Sequence, residues 1–314
     1  MTTSWDDYSS FPWVPEGWIP ERGEEKFPTT YLPVTIGAGT RQKPIFDPAL
    51  KQFERAYRAG EPEFDAPETG RRWRTARRHA IDLVLEVISG SVWSEHLVLR
   101  GSLLLEAWIG DIARDPGDLD FVVVPAKLTL DSPEVAAMFR DLVEGVTSRT
   151  LDGVRLDPAD VAVDDIWTYD RVPGRRLVFT WHADGLPPGT VQLDFVCGEK
   201  LPVPPQVTGI PRAGGGEPTP ILGATPELSL AWKILWLVTD MHAQGKDLYD
   251  AVLLAERVTL PPDLLTEVLD GEPFDAGMIR GLGTEWEEFR AEYPQVPGDQ
   301  FYWRDRLADA LGLP

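Results

Sequence analysis

Two short runs in which carboxylates alternate with apolar side chains limit the possible folds more than anything else in this chain. In Asp118–Val124 (DLDFVVV), a period of two sends Asp118 and Asp120 to one face and Leu119, Phe121 and Val123 to the other. In Thr190–Cys197 (TVQLDFVC), the same period separates Gln192 and Asp194 from Val191, Leu193, Phe195 and Cys197. Both read as strands with one face in a core and acids on the other. His96–Arg100, Val161–Tyr169 and Arg176–His182 read as further strands.

Helical periods lie between them. Over Arg71–Ser89, Trp73, Ala76, Ala80, Leu83, Val84 and Val87 share one face, Arg71, Arg74 and Arg78 lie opposite, and Gly90 is the stop signal. Leu103–Ile109 and Pro133–Val146 are also helical in pattern. Helices and strands mix without strict βαβ alternation, which predicts an α+β fold with a mixed sheet and flanking helices. The stretch Leu201–Glu217 is rich in proline and glycine and reads as a loop or linker. Beyond it the pattern is helical, at Pro226–His242, Lys246–Arg257, Pro261–Leu269, Trp286–Tyr293 and Phe301–Leu311. The expected organisation is an irregular, proline- and aromatic-rich extension over 1–65, a mixed α/β domain over 66–215, and a helical domain over 216–314.

Composition excludes several classes. Among the 314 residues, 43% are hydrophobic and 26% charged, ordinary values for a globular chain long enough to bury a sizeable core. The longest apolar stretches, Leu97–Gly110 and Leu228–Val238, are broken by Arg100, Glu106 and Lys233, short of the roughly 18–20 apolar residues a bilayer span needs. The start, MTTSWDDYSS, carries acids where an export signal needs positive charge. A single cysteine, Cys197, excludes an internal disulfide and, with four histidines at no ligand spacing, argues for a reducing, cytoplasmic setting without a zinc site. The net charge of −21 opposes association with DNA.

Four features carry chemistry. The paired carboxylates of Asp118 and Asp120 suit Mg²⁺, a hard cation that takes oxygen ligands and shares them with substrate phosphates. On its own such a pair is weak evidence, because 51 acids in 314 residues generate on the order of 8 pairs at this spacing by chance. Gly101-Ser102 stands where a strand meets a helix N-terminus, either a phosphate site or an ordinary turn and cap. Asp194 would complete a site for two metal ions, or be an edge-strand acid. Lys233 lies in a stripe with Ser229 and Asp240 on a helix otherwise apolar around its circumference, so it requires either a paired carboxylate or a bound anion.

The string LVLRGSLLLEAWIGDIARDPGDLDFVVV resembles the signature of the DNA polymerase beta-like nucleotidyltransferase superfamily, in which Gly-Ser at a helix start precedes an Asp-x-Asp strand. Together with TPELSLAWKILWLVTDMHAQGKDLYDAVLLAE, it is similar more narrowly to the AbiEii/AbiGii (MenT-like) family, toxins of type IV toxin–antitoxin and phage-abortive systems. The resemblance spans about residues 95–257. It implies a nucleotidyltransferase core followed by a helical domain, with the nucleotide cleft between them, and Mg²⁺-dependent transfer of a nucleoside monophosphate from an NTP to a hydroxyl. Asp118, Asp120 and Asp194 would hold two Mg²⁺ ions, with Asp194 as third ligand or as base. Gly101, Ser102 and Lys233 would hold the triphosphate, and Asp247 would orient it or contact the nucleotide. Arg114 matches an arginine often found before the acidic pair and would steer phosphates or stand in solvent. Alternatively, Lys233 and Asp247 form a structural ion pair, and Asp250 is a structural acid.

The family often carries Ser or Thr two positions before the first aspartate, whereas Pro116 stands here, so regulation through that hydroxyl is not expected. The implied acceptor is the tRNA 3′ end and the implied partner an antitoxin. The run RRWRTARRHA, with five arginines, is either an RNA-binding surface or a solvated helix face. Two rival readings stay open: transfer to a small molecule or protein hydroxyl, and a non-catalytic NTP-binding or interaction module.

Overall fold

A computed structural model describes residues 34–35, 37, 39–46, 57–166, 173–240 and 242–313. In chain order it contains β1 (Thr40–Phe46), β2 (Tyr57–Phe64), α1 (Pro67–Ser89), β3 (Leu97–Arg100), α2 (Ser102–Ile109), β4 (Leu119–Val123), α3 (Pro133–Thr147), β5 (Thr150–Leu151), β6 (Val154–Asp165), β7 (Gly174–His182), β8 (Gly189–Cys197), β9 (Gln206–Ile210), β10 (Thr219–Gly223), α4 (Pro226–Thr239), α5 (Gly245–Ala255), α6 (Pro262–Leu269), α7 (Ala276–Gly281), α8 (Trp286–Glu292) and α9 (Gln300–Ala310). Eight strands form one sheet in the order β5-β6-β7-β8-β4-β3-β10-β9, and β1 pairs with β2 separately. The sheet is mixed, as expected: β4 runs parallel to β8 and β10 to β3, while β5 to β8 are antiparallel neighbours.

Several elements differ from the sequence reading. Part of the N-terminal extension is an antiparallel pair, β1 and β2, rather than irregular; most of the rest of the extension lies outside the described residues. The strand expected at Val161–Tyr169 starts earlier, at Val154, and a register shift between Leu156 and Val161 absorbs Pro158. Its expected end, residues 167–169, lies outside the described residues. Within the segment expected to be a loop, β9 forms, and β10 precedes the helices because Gly223 pairs with Leu99.

The described residues divide into two compact units, those up to 97, from 117 to 199 and from 209 to 221 in the first, and those from 98 to 116, from 200 to 208 and from 222 onward in the second. In the first, α1 buries the face its periodicity predicts, with Trp73, Ala76, Ala80, Leu83, Val84 and Val87 at most 6% exposed. Trp73 meets Trp181 of β7 with ring centroids 5.3 Å apart. A Cβ at Gly189 of β8 would lie 2.6 Å from both indoles, so only glycine allows this helix–sheet approach. Phe121 of β4 and Phe195 of β8 stack at 5.6 Å on the buried face, which turns the intervening acids to the opposite side.

In the second unit, α4 starts at a Thr-Pro signal. The Thr225 hydroxyl accepts from the Leu228 amide at 3.2 Å, and Pro226 takes the first helical position, where its missing N–H costs nothing. Leu230, Ile234 and Leu237 of α4 pack with Leu248, Val252, Trp286, Trp303 and Leu307 from α5, α8 and α9. Each such buried side chain contributes roughly 1.5–3 kcal/mol over an exposed one. Among the described residues, no helix is long and apolar enough to cross a membrane.

Candidate active site

Strand register builds the first unit's site. In the parallel β4–β8 ladder, Asp120 stands opposite Asp194, and Asp118 lies two residues before Asp120 on the same side. The three carboxylates each offer an oxygen within 4.8 Å of the others, and among the described residues they are the one such cluster of three or more potential ligands. Asp118 and Asp120 are partly open, whereas Asp194 is 2% exposed. Three carboxylates on a rigid sheet face are a hard, all-oxygen donor set, which fits a divalent cation such as Mg²⁺.

A residue that the sequence reading passed over secures the third acid. Arg176 of β7 is the cross-strand partner of Asp194, and its guanidinium forks onto both oxygens, Nε to Oδ1 at 2.8 Å and Nη2 to Oδ2 at 2.6 Å. Gln192 donates to the same Oδ2 at 3.2 Å. Burial pushes the Asp194 carboxyl above its ordinary range, with the nearby Asp118 charge adding to the effect and the Arg176 fork opposing it. The alternation of β7 could have placed Arg176 on the polar face, but only the register shows which acid it meets.

The second unit holds the remaining candidates. Gly101, at φ 87° and ψ −153°, caps the N-terminus of α2 in a conformation that side chains rarely adopt. The next residue, Ser102, is 2% exposed, and its buried Oγ has no hydrogen-bond partner among the described residues. Lys233 of α4 binds Asp247 Oδ1 at 2.6 Å and Asp250 Oδ2 at 3.0 Å, both on α5. Arg114 forks onto Asp250, with three contacts of 3.1–3.2 Å. Two cations and two anions therefore balance in a buried cluster, the ion-pair alternative for Lys233 and Asp247, and Arg114 is a clamp on Asp250 rather than a solvated arginine. Burial would lower the Lys233 pKa, but Asp247 and Asp250 outweigh it and hold it above its usual value. Burial opposes ionisation of Asp250 too, and Arg114 and Lys233 nevertheless hold its carboxyl below the usual range. Gly101, Lys233, Asp250 and Ser229, whose buried Oγ also lacks a partner among the described residues, line one small cavity with Trp108, Trp232 and Trp236.

The arginine-rich helix is largely engaged with its own chain. Arg71 pairs with Glu68, Arg72 reaches the Asp184 carbonyl at 3.5 Å, Arg77 binds Glu61 and the Gly117 carbonyl, and Arg78 donates to the Pro211 carbonyl at 2.8 Å. Cys197 is buried, and desolvation pushes its thiol up to about 11, which leaves it unreactive near neutral pH.

The sequence matches the model of the family described as "Nucleotidyl transferase AbiEii toxin, Type IV TA system" over residues 82–297, more than half of the chain and a span that contains all three acids. The chain belongs to the AbiEii family. It is thus a nucleotidyltransferase, of a family of toxins from type IV toxin–antitoxin systems. A solved structure, "MenT4, nucleotidyltransferase toxin Rv2826c from Mycobacterium tuberculosis H37Rv", matches with a TM-score of 0.54 at 18% identity, over 76% of this chain and 88% of that one, a likeness of fold. No curated protein sequence matches.

Proposed function

We propose that this AbiEii protein transfers a nucleoside monophosphate from an NTP to a hydroxyl at the tRNA 3′ end, as a toxin restrained by a cognate antitoxin. The observation that carries the reading is the cluster of three carboxylate oxygens within 4.8 Å of one another, from Asp118 at the entry to β4, Asp120 on β4 and Asp194 on β8. Asp118, Asp120 and Asp194 would hold Mg²⁺, two ions in the full site. Bound there, the metal supplies Lewis-acid charge that activates the attacking hydroxyl and stabilises the leaving pyrophosphate.

The chain's own groups do the rest. Asp194 Oδ2 accepts from both Arg176 and Gln192, whereas Oδ1 accepts from Arg176 alone, so Oδ1 keeps a second lone pair with which it would ligate or take the proton of the acceptor hydroxyl. The α2 N-terminus presents backbone N–H groups at Gly101-Ser102, and the unpartnered Ser102 hydroxyl is a further donor to the triphosphate. Lys233 lines the same cavity as Gly101, oriented by its bond to Asp247, and is the ammonium that would meet the triphosphate.

A second acceptor class has its own support: the net charge of −21, together with arginines that bind their own chain, favours a small-molecule or protein hydroxyl over RNA. The test is transfer of α-labelled nucleotide to bulk tRNA with Mg²⁺ and each of the four NTPs, with Asp120→Ala in parallel. Label in tRNA with the wild type alone is the expected result and identifies the base used. NTP binding without tRNA labelling, and label instead in protein or small-molecule fractions, would replace the tRNA acceptor.

A further inference from the structure

The Asp-x-Asp strand is entered through Ala113–Asp118, a segment outside regular structure in which Pro116 has no N–H to donate. Helix α1 reaches this entry. Arg77 donates from Nη2 to the carbonyl of Gly117, immediately before Asp118, at 3.0 Å. Its Nη1 lies 2.9 Å from both carboxylate oxygens of Glu61 on β2, and its guanidinium carbon is 6.0 Å from the Trp73 ring centroid, one turn back. The arginine side chain is 14% exposed. Trp73 is itself fixed between Phe64 and Trp181, at 5.6 and 5.3 Å. A planar guanidinium held by a carboxylate on one edge leaves its other edge aimed at one carbonyl. Phe121 and Phe195 stack on the core side of β4, and the peptide before Asp118 precedes that strand, so its orientation bears on where the carboxylate points.

We propose that Arg77 is a positioning residue for the metal-binding carboxylates: the Glu61–Arg77–Gly117 relay sets the peptide that aims Asp118 toward Asp120 and Asp194. The proposal rests on the reading of these three acids as the metal site. It assigns the arginine-rich helix a task inside its own chain, and it makes the β1–β2 pair part of the site's support.

The test is isothermal titration of the full chain with Mn²⁺, comparing wild type, Arg77→Ala, Arg77→Lys, Glu61→Gln and Asp120→Ala, with a melting curve of each metal-free protein. Loss of a group supporting a metal ligand weakens metal binding by roughly tenfold. That weakening is expected for Arg77→Ala, with partial rescue in Arg77→Lys, a smaller loss in Glu61→Gln, and metal-free melting temperatures close to the wild type's. In turnover, the Mn²⁺ needed for half-maximal rate should rise while the KM for NTP at saturating metal stays put. Should Arg77→Ala fail to fold, Arg77→Lys and Glu61→Gln decide the matter, since both keep a cation at position 77. Wild-type Mn²⁺ affinity in the Arg77 and Glu61 variants overturns the positioning role while leaving the metal site intact. Absence of Mn²⁺ binding by the wild type, or binding unchanged in Asp120→Ala, overturns the metal site and the relay with it.

Discussion

At Asp194 the chain buries a carboxylate, burial raises its pKa, and the Arg176 fork is the opposing force. Removing one partner of a buried ion pair leaves the other charge uncompensated, at a cost of about 3–5 kcal/mol. Arg176→Ala should therefore lose stability on that scale in urea unfolding, and lose roughly 10–100-fold in transfer rate because the third carboxylate is no longer held. Arg176→Lys should recover only part of each, since an ammonium cannot match both oxygens at once. The three acids themselves were legible from alternation in two short runs. Arg176 was not, because a strand's period gives the face of a residue while only pairing gives its neighbour.

Helices α4 and α5 are joined by a clasp of charges, and its pH behaviour belongs to the pair. Asp250 on α5 has its carboxyl held below the ordinary 3.8, so it contributes stability that is complete above that value and lost as pH falls through the lower folded value. Lys233 on α4 is held above the ordinary 10.5; its contribution is complete below that value and lost as pH rises through the higher folded one. The clasp's share of stability, read as the difference in urea midpoint between wild type and Asp250→Asn, should thus be flat between these limits and shrink beyond both. Asp250→Asn should flatten the acid limb and lower the plateau, since Arg114 then loses its partner. Helices of this kind were legible because their apolar face or circumference is long. β9 and the early part of β6 were hidden because Pro158, Pro211 and runs of charged side chains resemble loops, and their strand state comes from neighbours in the sheet.

The molecule as a whole carries a net charge of −21 and gathers three of its acids into one cluster, so a divalent cation bound there would relieve repulsion as well as take ligands. A ligand that binds only the folded chain stabilises it by about 2.7 kcal/mol at a hundred times its dissociation constant. Mg²⁺ or Mn²⁺ should raise the melting temperature of the wild type, EDTA should reverse the rise, and Asp120→Ala should show neither effect; a calorimetric scan checks all three. The register of β4 against β8 has one more consequence, in the order of synthesis. Asp120 and Asp194 face each other across a parallel ladder whose second strand ends at Cys197, and the crossover between them contains α3, β5, β6 and β7. A nascent chain emerging from the ribosome therefore carries its first two acids long before the third, and the carboxylate cluster is incomplete until β8 has emerged and paired.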